Sequence, residues 1–279
     1  MSAPLVDTHC HLDVAEFDAD RDAVLARSRA AGVGAIVVPG IHAAGWPGLR
    51  ALCAAHADLY PAYGLHPVYL AQHGSADLAA LERLLADARP LAVGEIGLDH
   101  HVDGLDRGRQ RALLEAQLAL ARDAALPVLL HVRKAHDETL AALRRAGVCG
   151  GIAHAFNGSL EQARQYLDLG FCLGFGGMLT FERSTRLRRL AAALPEQALV
   201  LETDAPDLTV ASHRGERNSP EYLPEVLASL AAVRDVEPAA LAAATSANAR
   251  AVLCLPDFAA RDSPPLAVDQ ARGVLSGEN

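Results

Sequence analysis

The residues of this 279-residue chain best suited to chemistry are histidines and carboxylates that end short apolar runs. His9 and His11 flank Cys10 at the end of the first run, Glu95 lies in Gly94-Glu95-Ile96-Gly97-Leu98-Asp99, and His131, His154 and Asp204 close three later runs. Residues i and i+2 of a strand point the same way, so both imidazoles of the first pair face one side and Cys10 the other. An imidazole or carboxylate on an apolar strand is costly unless it is paired or bound to a metal. One such histidine is more often a satisfied core residue than a ligand. Six ligand-type side chains at five strand ends point to a metal site. Four imidazoles and two carboxylates exceed one tetrahedral shell, which argues for two cations. Sharing Glu95 between them leaves His9, His11 and Asp204 for one and His131 and His154 for the other. Such a pair suits hydrolysis by a metal-bound hydroxide, so Asp204, as proton acceptor, and Glu95, as bridge, are the expected catalytic residues. Lys134, the only lysine, lies three residues past His131 and is a poorer bridge than Glu95.

The apolar runs that carry these groups fall at residues 5–11, 35–39, 60–66, 91–98, 127–132, 151–156, 171–175 and 199–204. Segments with helical spacing lie between them, at 20–31, 76–88, 109–125, 137–146, 160–169 and 184–194. Alternating strands and helices imply a parallel sheet with crossover helices, and near-continuous apolar strands imply burial on both faces. Eight units predict a (β/α)8 TIM barrel, whose functional face is the C-terminal end of the strands. An open doubly wound sheet is the alternative. Two further helices are predicted at 224–234 and 238–253. A single barrel domain is expected over 1–255, followed by a loosely ordered tail at 256–279 with no strong periodicity.

Composition narrows the function. A hydrophobic content of 51% and a charged content of 21% fit a globular chain and exclude a disordered one. No stretch of about 18 apolar residues could span a membrane, and the first residues read as no secretory signal. The five cysteines (Cys10, Cys53, Cys149, Cys172 and Cys254) are scattered without a CxxC pair, which suggests a reducing cytoplasm rather than a disulfide framework. A net charge of −9 rules out a general polyanion binder and leaves local, salt-sensitive contacts. No P-loop, dinucleotide fingerprint or nucleophile elbow is present, so no nucleotide cofactor is expected.

The stretches DTHCHLD (7–13), YGLHP (63–67), GEIGLD (94–99), LPVLLHVRKAHD (126–137), HAFNGS (154–159) and LETDAP (201–206) resemble the TatD family of metal-dependent hydrolases and deoxyribonucleases. The resemblance covers about residues 5–255. It implies a distorted TIM barrel, divalent metal and DNA phosphodiesters as the substrate class. It places the metal ligands on His9, His11, Glu95, His131, His154 and Asp204. The chain departs from the family with His100-His101 after GEIGLD, where aromatic residues are common, and with Ala155 and Asn157 where Cys and Ser are common. These departures leave the ligands intact and bear on substrate preference.

Around the predicted centre, His66 and Arg133 are the expected substrate-binding residues, His66 by hydrogen bonding and Arg133 by gripping phosphate. Asp99 is expected to hold the loop after the fourth strand. Arg183, Arg186, Arg188 and Arg189 read as a solvated face, and Arg217 in an RGxRN-like segment as a rim contact. Trp46 is placed in a Gly/Pro-rich loop, as an anchor or as a stacking surface for a base. His42, His56, His73, His136 and His213 are assigned to the surface. The expected function is hydrolysis of DNA, single-stranded or at ends, with two divalent ions (Zn, Mn or Mg). Imidazole-rich ligands favour a transition metal. The alternatives are hydrolysis of esters, lactones or amides, including aminoacyl-tRNA esters, at the same site, or a non-catalytic protein with a structural metal. Membrane partners are not expected.

Overall fold

Strands buried on both faces can remain apolar along their length, and the eight apolar runs pair as parallel strands. In the computed structural model, which describes residues 3–256, these are β1 (Leu5–Asp7), β2 (Val33–Pro39), β3 (Leu59–Tyr63), β4 (Ala92–Asp99), β5 (Val128–Arg133), β6 (Gly151–Ala153), β7 (Phe171–Phe175) and β8 (Leu199–Leu201). Hydrogen bonding follows the order β1 to β8, each strand beside its neighbours in sequence. The first and last strands meet through Thr8, whose backbone N–H and hydroxyl donate to the Leu201 carbonyl at 3.0 and 2.9 Å. That contact makes a barrel and overturns the open-sheet alternative. No helix among the described residues is long and apolar enough to cross a membrane. Most of the tail expected at 256–279 lies outside the described residues.

The crossover helices are α1 (Arg21–Ala30), α2 (Trp46–Ala55), α3 (Ser75–Ala88), α4 (Arg107–Asp123), α5 (His136–Ala146), α6 (Leu160–Asp168) and α7 (Thr185–Ala193), with α8 (Leu223–Arg234) and α9 (Pro238–Leu253) following β8. Local chemistry sets several of their ends. Ser159 and Gln162 form a reciprocal capping box at the start of α6, and the Asp106 carboxylate caps α4 by accepting from Arg109 N–H at 3.0 Å. The α2 helix corrects the loop expected around Trp46. Gly45, Pro47 and Gly48 look like loop chemistry, yet proline is well tolerated in a first helical turn, where no intrahelical partner is needed for its nitrogen. Trp46 is buried edge-to-face against Tyr63 and is an anchor, not an exposed stacking surface.

Two apolar layers hold the barrel. Alternate strand residues such as Ile36 and Val38 pack outward in the larger cluster. Their neighbours Ala35 and Val37 join Ala62, Ala92, Leu129, Ile152 and Val200 in a second cluster, together with Ala249, Leu253 and Leu255 from α9 and the chain just after it. The α9 helix therefore plugs one end of the barrel and leaves the other for polar groups. Strands β1, β3, β6 and β8 are shorter than expected, because their last residues leave the ladder once they reach the mouth.

Leu253 is 1% exposed. Leu253→Ala is expected to lower unfolding free energy by about 2–5 kcal/mol. Urea denaturation with an unchanged slope would measure it, and a loss well under 1 kcal/mol would mean that α9 does not plug the barrel.

Candidate metal centre

The interior positions become polar at the mouth. Two residues past Leu129, Ile152 and Val200, the same alternation brings His131, His154 and Glu202 inward. Strand β4 supplies Glu95. The turns after β1 and β8 supply His9, His11 and Asp204 and brace each other, Asp204 N–H donating to the His9 carbonyl and His11 N–H to the Ala205 carbonyl, both at 2.8 Å. Asp204 has a left-handed backbone (φ 60°). Strand β4 passes so close to β5 that a side chain at Gly97 (φ +156°) would place Cβ 1.8 Å from the His131 carbonyl oxygen.

Four of the expected ligands, His9, His11, His131 and His154, converge on the carboxylate of a fifth, Glu95. Its Oε2 lies 3.1 Å from His9 Nε2 and 3.3 Å from His11 Nε2. Its Oε1 lies 2.9 Å from His131 Nδ1, 3.3 Å from His66 Nε2 and 3.5 Å from His154 Nε2. Asp204 Oδ1 is 3.7 Å from both His9 Nε2 and His11 Nε2. Three triads have donor atoms within 4.8 Å of one another: His9, His154 and Asp204; His9, His11 and Glu95; and His66, Glu95 and His131. The two Glu95 oxygens thus face different histidine sets. His154 is nearer the His9 side than expected, its ring stacked on His9 at 3.8 Å between centroids.

Hydrogen bonds at the far ring nitrogens separate the histidines chemically. His11 Nδ1–H donates to the Pro39 carbonyl at 3.2 Å, so that in the neutral ring the lone pair lies on Nε2, on the side of Glu95. His131 Nε2 faces Asp99 at 2.9 Å, and His154 Nδ1 faces Glu202 at 3.3 Å. His66 is the reverse. Its Nδ1 accepts from Val68 N–H at 3.2 Å, so the neutral ring carries its proton on Nε2, toward Glu95. Burial, reinforced by the nearby His131, pushes the His66 pKa down to about 4 despite Glu95. It is a neutral N–H donor aimed into the cleft.

The buried charges of the cluster could accommodate a cation. Burial would raise the Glu95 pKa, but His66, His9 and His154 hold it well below the usual carboxylate range. Burial opposes charge on His154 and His11, yet Asp204, Glu202 and Glu95 draw His154 up to about 10, and Glu95 and Asp204 draw His11 up to about 9. Burial raises Asp204 to about 6 against the pull of His154 and His11. His9 Nδ1 and Glu202 Oε2 are buried without a hydrogen-bond partner. Imidazoles drawn toward protonation around buried carboxylates, with polar atoms left orphaned, are a donor set that divalent metal fits.

The cleft, about 890 Å³, is lined by His11, His66, Glu95, His131, His154 and Asp204 and also by Arg133, Arg183 and Arg186. Asp99 both holds its loop, accepting from the N–H groups of His101 and Val102, and orients His131. Lys134 lies away from the centre, lining a separate cavity of about 460 Å³ with His100 and His136. Other expectations fail. Arg217 does not reach the cleft rim; it forms a fork to Asp20 at 2.8 Å and stacks over Phe17. Arg186 and Arg188 are tied to backbone carbonyls rather than forming a purely solvated face. His73 and His136 are buried, His73 against the His66 carbonyl and His136 between Tyr166 and Asn157.

Glu202 is the buried group the sequence reading missed. Its Oε1 accepts from Ala155 N–H at 2.5 Å beside His154. The i, i+2 rule that paired His9 with His11 would have found it, two residues before Asp204.

The chain matches the family described as TatD related DNase over residues 6–254. It is 41% identical over 237 residues to the uncharacterized metal-dependent hydrolase YjjV of Escherichia coli (strain K12), covering 84% of this chain and 92% of that protein. It is 36% identical over 253 residues to the 3'-5' ssDNA/RNA exonuclease TatD of Klebsiella pneumoniae (strain 342), covering 88% of this chain and 96% of that one. The crystal structure of the Escherichia coli K12 YjjV has a TM-score of 0.88 to this fold at 39% identity, over 92% of this chain and 100% of that chain.

A Cβ at Gly174 would fall 2.1 Å from Glu202 Oε2. Gly174→Ala is therefore expected to cost about 1–3 kcal/mol of stability by overpacking. Urea unfolding of Gly174→Ala with Glu202→Ala should recover part of it, and strictly additive losses would show that the carboxylate is not the obstacle.

Proposed function

The chain belongs to the TatD family of metal-dependent hydrolases, and from that premise we propose that it hydrolyses DNA phosphodiesters, in single strands or at ends. The observation that carries this reading is the convergence of four imidazoles and two carboxylates on a cleft whose lining also contains three arginines. In this reading His9, His11 and Asp204 would hold one divalent cation and His131 and His154 a second, with Glu95 able to offer an oxygen to each. The imidazole-rich set favours a transition metal such as Zn over Mg. Bound there, the cations acidify water and offset charge on phosphoryl oxygens.

The protein's own groups do the rest. Asp204, with a side chain 15% exposed at the cleft, takes up the proton of the attacking water. His66 keeps its proton on Nε2 and donates to a phosphoryl or leaving oxygen. Arg133, with its side chain 47% exposed beside Asp99, offers guanidinium N–H groups to phosphate. Glu202 and Asp99 fix the rings of His154 and His131. The relative in Klebsiella pneumoniae named a single-strand exonuclease supports a nucleic-acid substrate. Hydrolysis of a carbonyl ester, lactone or amide would use the same centre, but the arginines of the cleft give it less support. The thiols of the described residues are all unpaired, which favours a reducing compartment such as the cytoplasm.

The decisive assay is cleavage of fluorescent single-stranded DNA by metal-reconstituted protein, beside a panel of esters and lactones. Glu95→Ala is expected to lose at least about a hundredfold in kcat, and removal of metal by a chelator should abolish cleavage until Zn or Mn is restored. Cleavage that survives Glu95→Ala, or carbonyl turnover without DNA cleavage, would overturn the proposal. His66→Ala separates the roles further. It should lower kcat while bound metal, measured by elemental analysis, stays unchanged, whereas His131→Ala should lose metal. A loss of metal in His66→Ala would contradict its part as a proton-bearing donor.

A further inference from the structure

Exposed apolar side chains scattered singly are normal, but grouped around a cleft they indicate what the cleft holds. Five large apolar side chains are exposed among the described residues. Three of them line the metal cleft: Val102, Met178 and Leu208, at 38%, 42% and 40% exposure. Tyr69, half-buried, lines it as well. Tyr69 and Val102 come from the loops after β3 and β4, and Met178 and Leu208 from the loops after β7 and β8. In a ring of eight consecutive strands these pairs of loops lie on opposite sides. The cleft therefore carries an apolar jaw on each side of its polar floor.

Both jaws are anchored. Gly177 packs so tightly that a Cβ there would meet the Leu208 carbonyl oxygen at 2.1 Å, which sets the turn bearing Met178 directly on the loop bearing Leu208. Ala211 N–H ties the same two loops by donating to Thr180 Oγ1 at 2.7 Å. On the other side, Asp99 accepts from Val102 N–H at 2.9 Å while facing His131 with its second oxygen. An apolar side chain in each jaw is thus held at a fixed place relative to the metal centre. Arg133 and Arg183 line the same cleft. The ligand that matches has an anionic group for the arginines and the centre, joined to a flat apolar body for the jaws. An unstacked nucleotide has that chemistry. A base in a duplex, with both faces stacked, does not.

We infer that Tyr69 and Val102 on one side and Met178 and Leu208 on the other grip the nucleobase beside the phosphodiester being cleaved, so that an unstacked base, and not the backbone alone, is recognised. The inference rests on the nuclease reading and gives the preference for single strands a physical origin. The test compares a fluorescent deoxyoligonucleotide with an abasic strand of the same length, in the wild-type holoenzyme and in Met178→Ser/Leu208→Ser. Wild type is expected to favour the base-bearing strand by about tenfold or more in kcat/KM. The double variant should lose that preference through KM, with kcat retained and the abasic strand cleaved as by wild type. Val102→Ser, on the opposite jaw, should shift KM in the same direction. These side chains are exposed, so melting temperatures should match wild type. Equal cleavage of both strands by wild type, or equal loss on both strands in the variants, overturns the base grip alone. Failure of wild type to cleave either strand overturns the nuclease reading and the grip with it.

Discussion

A carboxylate buried at the closed end of a barrel mouth dominates this protein. Glu95 has a side chain only 2% exposed, and charge at such a place is costly unless opposite charge surrounds it. Five imidazole nitrogens lie within 3.5 Å of it, and those of His11, His131 and His154 are drawn toward protonation. Much of the surrounding architecture follows from the need to deliver those rings. The inward alternation of β5 and β6 delivers His131 and His154, the braced turns after β1 and β8 deliver His9, His11 and Asp204, and the tight approach of β4 to β5 at Gly97 brings Glu95 and His131 into contact.

Carboxylates behind the rings make the arrangement directional. Asp99 stands behind His131, Glu202 behind His154 and the Pro39 carbonyl behind His11. Each favours a proton on the outward nitrogen and a lone pair toward the centre. His66 has a backbone N–H behind it instead, so it turns a proton inward. Rings that look equivalent in the sequence are thereby sorted into potential ligands and a donor, and the choice is made by the atoms behind each ring.

Stability and function occupy opposite ends of the barrel. Leu253, Ala249 and Leu255 close one end with apolar packing, and the polar layer occupies the other. The loops at the polar end can therefore vary in what they present to a ligand without disturbing the plug. Met178 and Leu208 illustrate this division, apolar and exposed on loops whose backbones are pinned.

Periodicity and residue type were enough to read the eight strands, most of the helices and the six groups that converge on the centre. Buried parallel strands have to be apolar, and a cluster of ligand-type side chains interrupting them cannot be hidden. The α2 helix was not legible because Gly45, Pro47 and Gly48 are equally at home in a loop and in a first helical turn. The buried place of His73 was invisible because no apolar period marks it, whereas His136 falls on the buried face of α5 with Thr139, Leu140 and Leu143 but just before the segment expected to be helical. The sequence by itself marked six residues as candidates to hold a cation. Tertiary structure alone decided that Arg217 turns away to Asp20, that Glu202 stands behind His154, and which nitrogen of each histidine faces the cleft. The Arg217 and Glu202 outcomes depend on contacts between residues far apart in the chain, and the His66 tautomer depends on how the backbone turns at Val68, which residue type alone does not specify.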